Sequence, residues 1–146
     1  MNNKVTSVTV QAYHIIQVTT GGRGLYEISG EIKKWIRSLD ISTGLLTVFC
    51  QHTSASLTIQ ENADHDVQYD LDAFFTRLVC AEPNLYRHTC EGPDDMPAHI
   101  RSALTDCSLS VPVLDGAPAL GMWQGIYLFE HRADPKNRQI VLHIIA

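Results

Sequence analysis

The sequence predicts an α+β domain, one unit over 1–146, in which an antiparallel β-sandwich-like core carries two or three helices. Three observations predict it. Apolar residues alternate in the first twenty positions, as a strand with one buried face requires. Apolar stripes at helical spacing follow in two later segments. The final third reads as strands joined by short turns, and such strands pair antiparallel. A length of 146 residues suits one domain with its own core, and a hydrophobic share of 45% excludes wholesale disorder.

The elements follow in order. Val8, Val10, Ala12, His14, Ile16 and Val18 occupy every second position, so one long strand is expected there, with His14 a satisfied core histidine. Gly21, Gly22 and Gly24 then break the chain as a turn. Ile28, Ile32, Ile36 and Leu39 form the stripe of a first helix, flanked by Trp35 as packing. A second strand runs from Leu45 to Gln51, and a short apolar stretch from Leu57 to Ile59. Ala63, Val67, Leu71, Phe74, Phe75 and Leu78 then mark the buried side of a second helix. Its acidic first turns suit the positive end of the helix dipole. A loop over 81–95 leads to a third helix ending at Leu104, capped by Asp94 or Asp95 and tolerating Pro97 in its first turn. Leu109 to Val113, Met122 to His131 and Gln139 to Ile145 are the remaining strands, with turns at Asp115-Gly116 and Asp134-Pro135.

Charge excludes some functions. The chain carries 11 Lys+Arg against 16 Asp+Glu, a net charge of -5, and has no basic stripe interleaved with aromatics. Nucleic-acid binding is therefore not expected. The acidity is local. Residues 61–95 hold nine acidic side chains against Arg77 and Arg87 alone, which makes that window −7 and the remainder +2. No apolar run approaches the roughly 18–20 residues that span a bilayer. The polar, alternating N-terminus is unlike a signal peptide, and the four cysteines show no C-x-x-C spacing, a pattern expected of a cytoplasmic, reduced protein.

Four features bear on chemistry. His52, His65, His88 and His99 fall within 48 residues, each near an element end or in a loop. Imidazole is the commonest metal ligand, but these spacings match no local metal signature, and scattered surface histidines produce the same pattern. Glu91-Gly92-Pro93-Asp94-Asp95 clusters carboxylates between two of them, as a helix cap or as groups that orient metal-bound imidazoles. Thr53, Ser54 and Ser56 directly follow a strand, where hydroxyls cradle phosphate or simply form a turn. Trp123 and Gln124 point to opposite faces, between glycines that permit close approach to the backbone. No serine of the chain sits in a G-x-S-x-G elbow.

Together, Gln51-His52-Thr53-Ser54-Ala55-Ser56-Leu57, Glu61-Asn62-x-Asp64, His88-x-x-Glu91-Gly92-x-Asp94-Asp95-Met96-Pro97-x-His99-Ile100 and Trp123-Gln124-Gly125-Ile126-Tyr127-Leu128 resemble, in this order, the YjbQ-like family, also called the secondary thiamine-phosphate synthase family. The resemblance spans essentially the whole chain. It implies a compact homotrimer with a histidine-lined metal site, zinc the usual ion, and a weak thiamine-phosphate synthase activity. That reaction joins hydroxymethylpyrimidine diphosphate to a thiazole phosphate and releases pyrophosphate. The family's signature histidines map onto His52, His88 and His99; His131 ranks below them. Met122 departs from the pattern, which usually has a small hydroxyl residue before Trp-Gln.

The expectation is thus a metal-dependent enzyme acting on a small phosphate- or diphosphate-bearing molecule. His52, His88 and His99 hold the divalent cation, and Glu91 or Asp95 orients a ligand imidazole. Thr53, Ser54 and Ser56 contact phosphate oxygens, with Asn62 and Trp123 completing the substrate contacts. Glu61, or Gln124, handles protons or positions water. Magnesium is a second candidate ion with a diphosphate substrate. The alternative is a non-catalytic metal- or small-ligand-binding trimer. Neither nucleic acid nor membrane is an expected partner.

Overall fold

A computed structural model describes Ser7, Val10 to Glu82 and Asn84 to Ala146. The predicted α+β class is what it shows: three helices and two antiparallel sheets around one core. The strands are β1 (Gln11–Thr20), β2 (Gly24–Glu27), β3 (Gly44–Cys50), β4 (Ala55–Glu61), β5 (Ser108–Leu114), β6 (Ala117–Pro118), β7 (Gln124–Glu130) and β8 (Lys136–Ile145). The helices are α1 (Ser29–Arg37), α2 (His65–Leu78) and α3 (Asp95–Leu104). Five strands pair in the order β1-β8-β3-β5-β6 and three in the order β2-β7-β4.

The core lies where the sheets and α1 meet. Leu46, Val48, Val111, Val113, Ile140, Leu142 and Ile144 come from the larger sheet, and Leu57, Ile126 and Leu128 from the smaller. Ile28, Ile32 and Ile36 close it from α1, as their spacing predicts. β7 is buried from Gly125 to Glu130 because it is the central strand of its sheet. Its Ile-Tyr-Leu-Phe run is accordingly continuous rather than alternating. Phe129 meets Phe75 of α2 edge to face at 5.4 Å. At the β5–β6 hairpin, Asp115 and Gly116 both take positive φ (50° and 73°), the geometry a two-residue turn needs to match strand twist.

Several expectations are corrected. The first strand begins later than predicted; Val8 lies outside the described residues. His14 is exposed, not a core histidine, and stacks on Trp35 at 5.9 Å, because β1 is the edge strand of its sheet. Gly24 starts β2, whose four residues are too short for a periodic signal. None of α2 is fully buried, and Phe74 and Leu78 are exposed, so its apolar side is only partly covered. Asp94 is the α3 N-cap residue, but its carboxylate bonds no α3 amide and turns to Arg132 instead.

Two crossovers position the site. The chain passes from the larger to the smaller sheet between β3 and β4, through His52, Thr53 and Ser54. It passes back between β7 and β8, through His131, Arg132 and Ala133. The register pairs Ala55 with Glu130, so both crossovers emerge at the same end of the molecule. The start of α3 bonds to them, through Asp94 just before it and His99 within it.

Candidate functional site

Asp95, the first residue of α3, is 1% exposed and sits at the centre of the cluster. Its Oδ2 lies 2.7 Å from His88 Nε2 and 3.1 Å from His99 Nε2. Its Oδ1 accepts from Arg132 Nη1. Arg132 also donates through Nε to Asp94 Oδ2 at 3.1 Å and through Nη2 to the Glu91 carbonyl at 2.8 Å. The Ala133 amide adds a 2.8 Å bond to Asp94 Oδ2. One guanidinium thus organises the acidic loop. Gly92 completes it at φ 104°, a conformation that side chains disfavour. Burial pushes the Asp95 carboxyl up, but the His88 hydrogen bond and the Arg132 charge outweigh that and hold it below the ordinary carboxylate range. Asp95 is therefore ionised at neutral pH.

The tautomers are constrained. His99 Nδ1 lies 2.9 Å from the Thr53 carbonyl, which only accepts, so that nitrogen carries a proton. His99 Nε2 meanwhile faces an ionised carboxylate oxygen. Two acceptors on either side of one ring require a cation at Nε2: a second proton, making an imidazolium, or a metal ion bound by the lone pair. His88, Asp95 and His99 offer donor atoms that lie within 4.8 Å of one another. Tetrahedral zinc with bonds of about 2.0–2.1 Å separates its ligand atoms by about 3.3 Å, so the His99 pair at 3.1 Å is near that spacing, while the His88 pair at 2.7 Å is a direct hydrogen bond that would have to lengthen. In donor chemistry, two imidazole nitrogens and one carboxylate oxygen, the set fits such an ion.

The other expected residues fall in three places. His52 stands outside the three-donor group; its Nε2 accepts the Gln139 amide at 2.8 Å, which leaves the proton on Nδ1. Burial and the nearby Arg138 charge lower its pKa, so the ring is neutral. Thr53 and Ser54 line the same depression as His52, whereas Ser56 is fully buried. Ser56 Oγ lies 2.8 Å from His131 Nε2 and accepts from Thr105 Oγ1 at 2.6 Å, inside the protein. Glu61, Asn62, Trp123 and Gln124 gather at the far end of the β4–β7 pair: Glu61 pairs with Gln124, and the Asn62 amide donates to the Trp123 carbonyl. Six strand steps of about 3.3 Å place them about 20 Å from Ala55. The space over Gly125 is taken by Tyr127, Glu27 and Asn62 of the same chain, within 3.2 Å of where a Cβ would stand. Glu91 contributes its carbonyl to Arg132.

Sequence reasoning missed the arginines. Arg132 holds Asp94 and Asp95, and Arg138 forms a buried pair with Glu130, 2.6 Å at its shortest. The available signal was compensation: both flank the last turn, in the part of the chain that carries the net positive charge.

These observations define a class: a small α+β protein of two antiparallel sheets, with an arginine-braced His–Asp–His cluster where the β3–β4 and β7–β8 crossovers emerge. The chain belongs to the UPF0047 YjbQ-like protein family, whose model matches residues 14–146. It is 48% identical over 134 residues to the UPF0047 protein sll1880 of Synechocystis, covering 92% of this chain and 91% of that one. It is 41% identical over 127 residues to the UPF0047 protein YjbQ of Escherichia coli O157:H7, covering 86% and 91%. Among solved structures, an uncharacterized conserved protein of the YjbQ/UPF0047 family from Clostridium acetobutylicum superimposes with a TM-score of 0.82 at 32% identity, over 90% of this chain and 99% of that one.

Proposed function

We propose that this protein is a divalent-metal-dependent enzyme acting on a small phosphate- or diphosphate-bearing molecule, with weak thiamine-phosphate synthase activity. The observation that carries the reading is the pair of imidazole nitrogens aimed at one ionised oxygen of Asp95, with His99 Nδ1 already committed to a carbonyl. His88, His99 and Asp95 hold the ion, zinc best matching the two nitrogens and one oxygen. A bound divalent cation supplies positive charge to phosphate oxygens as a leaving group departs. The chain's own part is to fix that geometry. Arg132 keeps Asp95 ionised and oriented, and the Thr53 carbonyl sets the His99 ring. Glu61 and Gln124 do not reach the cluster within one chain, and the proposal gives them no step there.

Self-assembly as a homotrimer is part of the same reading. Its support is the outer face of the larger sheet, where Tyr13, Ile15, Leu45, Phe49 and Ile145 are exposed. The register aligns Leu45 with Ile145, and Phe49 and Ile15 with Val141. An apolar sheet face of this kind calls for cover. Light scattering that reads three times the chain mass is the expected result. Among the described residues no helix is long and apolar enough to cross a membrane.

Elemental analysis of purified protein tests the site. One equivalent of metal per chain is expected, lost in His88→Ala and in Asp95→Asn; unchanged content in both variants overturns the ligand assignment. Turnover of the two thiamine precursors, with and without chelator, tests the chemistry. Saturable ligand binding with no turnover would identify a binding trimer instead.

A further inference from the structure

A second feature lies beside the metal cluster, on the other side of Thr53. Between the β3–β4 crossover and β8 there is an open depression of about 640 Å³, its polar wall formed by Gln51, His52, Thr53, Ser54 and Arg138. No carboxylate lines it, in a chain whose net charge is -5. We infer that this depression is a phosphate-binding subsite distinct from the His88–Asp95–His99 cluster, with Arg138 as its principal donor. The inference deepens the reading above and rests on it only for the substrate class.

The donor inventory carries the argument. Arg138 is 6% exposed and fixed by Glu130, through Nε at 2.7 Å and Nη2 at 2.6 Å. Nη2 also donates to Ser54 Oγ at 3.1 Å. Nη1 makes no hydrogen bond among the described residues and is not among the fully enclosed unpaired atoms, so it keeps some exposure and its donor capacity is uncommitted. Ser54 Oγ accepts from Arg138 and keeps its own proton to donate. His52, whose Nε2 takes the Gln139 amide, presents Nδ1–H. The hydroxyl of exposed Thr53 likewise makes no hydrogen bond among the described residues. The depression therefore offers N–H and O–H donors, with Gln51 and Cys107 beside them, and no carboxylate.

That pattern selects a ligand. The hydroxyls, the Gln51 side chain and the Cys107 thiol there can also accept, but the one permanently charged group on the wall is a guanidinium, which repels a metal ion and favours an anion over a neutral ligand. A tetrahedral phosphate accepts through every exposed oxygen, and a planar guanidinium is its common partner. Because Glu130 neutralises Arg138 from behind, the attraction comes from directed N–H groups held in place before binding rather than from net charge. Rotamer freedom is already lost in the folded chain, so ordering Arg138 costs little at binding. Thr53 joins the two sites: it lines the depression, and its carbonyl holds His99. The substrate class is thus a phosphate monoester seated on Arg138, while a second phosphate-bearing group lies at the cluster.

The test uses inorganic phosphate as the probe and chelator-treated full-length protein, followed by calorimetric titration. Saturable binding with a Kd on the order of 1 mM is expected. Two variants report on the site: Arg138→Lys, which keeps a charge beside Glu130, and Thr53→Val/Ser54→Ala, which leaves the Glu130–Arg138 pair intact. Each should weaken phosphate binding about tenfold or more, as loss of a charge-assisted or paired hydrogen bond predicts. If Arg138→Lys does not fold, the double variant alone decides. Absence of saturable phosphate binding, or binding as tight in Thr53→Val/Ser54→Ala as in the unaltered protein, overturns the inference. The chelator separates the two readings. Phosphate bound without metal supports this subsite even if elemental analysis finds no ion, and metal bound without this phosphate site defeats only the subsite.

Discussion

His131 makes a pH-dependent contribution to stability that can be isolated. The ring is 0% exposed, its Nε2 lies 2.8 Å from Ser56 Oγ, and its Nδ1 is enclosed without a partner. Burial, reinforced by the charge of Arg101, lowers its pKa from 6.5 to about 3, against a smaller opposing pull from Glu130. The native ring is neutral at every pH above about 3, whereas the unfolded ring protonates below about 6.5. Below 6.5 the unfolded chain binds the extra proton, so stability falls as pH falls. The contribution is complete above pH 6.5 and is lost progressively toward pH 3. It amounts to about 1 kcal/mol between pH 6 and 5, about 3 kcal/mol by pH 4, and about 5 kcal/mol over the whole window. His131→Gln keeps a side-chain amide near Ser56 and does not titrate. Urea unfolding at pH 7, 6 and 5 should show the unaltered protein losing about 1 kcal/mol more than the variant over the last step. Slopes are compared, so any offset at pH 7 drops out. The carboxylates with lowered pKa values, Asp94, Asp95 and Glu130, lose their contribution only from about pH 4.5 downward, below the pH 6 to 5 step that is compared. Equal slopes in the two proteins would refute the assignment of a neutral, buried His131.

Two other predictions follow from burial. Arg132→Met leaves Asp95 enclosed without its cation and should cost about 3–5 kcal/mol in urea or thermal unfolding, whereas Arg23→Ala, which removes a half-exposed pair with Asp72, should cost no more than about 1 kcal/mol. Comparable losses from both would contradict the burial assigned to Asp95. Cys50 is buried and its thiol is pushed up to about 11, while Cys80, Cys90 and Cys107 are exposed. A thiol reagent at pH 8 should therefore titrate three groups promptly in the native protein and all four in denaturant; four prompt thiols would mean that the Cys50 pocket opens.

The helices and long strands were legible because each has a local cause. Ile28, Ile32 and Ile36 must share a face at 3.6 residues per turn, and Asp115-Gly116 takes the left-handed conformations of a tight hairpin. His14 misled for a physical reason. Its position in a period-two pattern says which side of the strand it takes, the side of Ile16, but not that β1 lies at a sheet edge, where that side is covered unevenly and His14 is left exposed. The four residues of β2 form a strand because β7 offers them partners, which no window of local sequence contains.

The candidate site divides along the same line. Residue types and their order were sufficient to mark His88, His99 and the carboxylates between them, and to establish two-sheet α+β architecture and family membership. Which groups meet depends on contacts between segments remote in sequence. Arg132 reaches Asp95 across 37 positions, and Arg138 reaches Ser54 across 84. Those contacts exist because two crossovers emerge side by side at one end of the sheets, while the strand length of β4 carries Glu61 to the other. The proton on His99 Nδ1 and the accepting nitrogen of His52 are likewise set by the Thr53 carbonyl and the Gln139 amide that face them. Side-chain chemistry is a property of the residue, but its protonation and its partner belong to the fold around it.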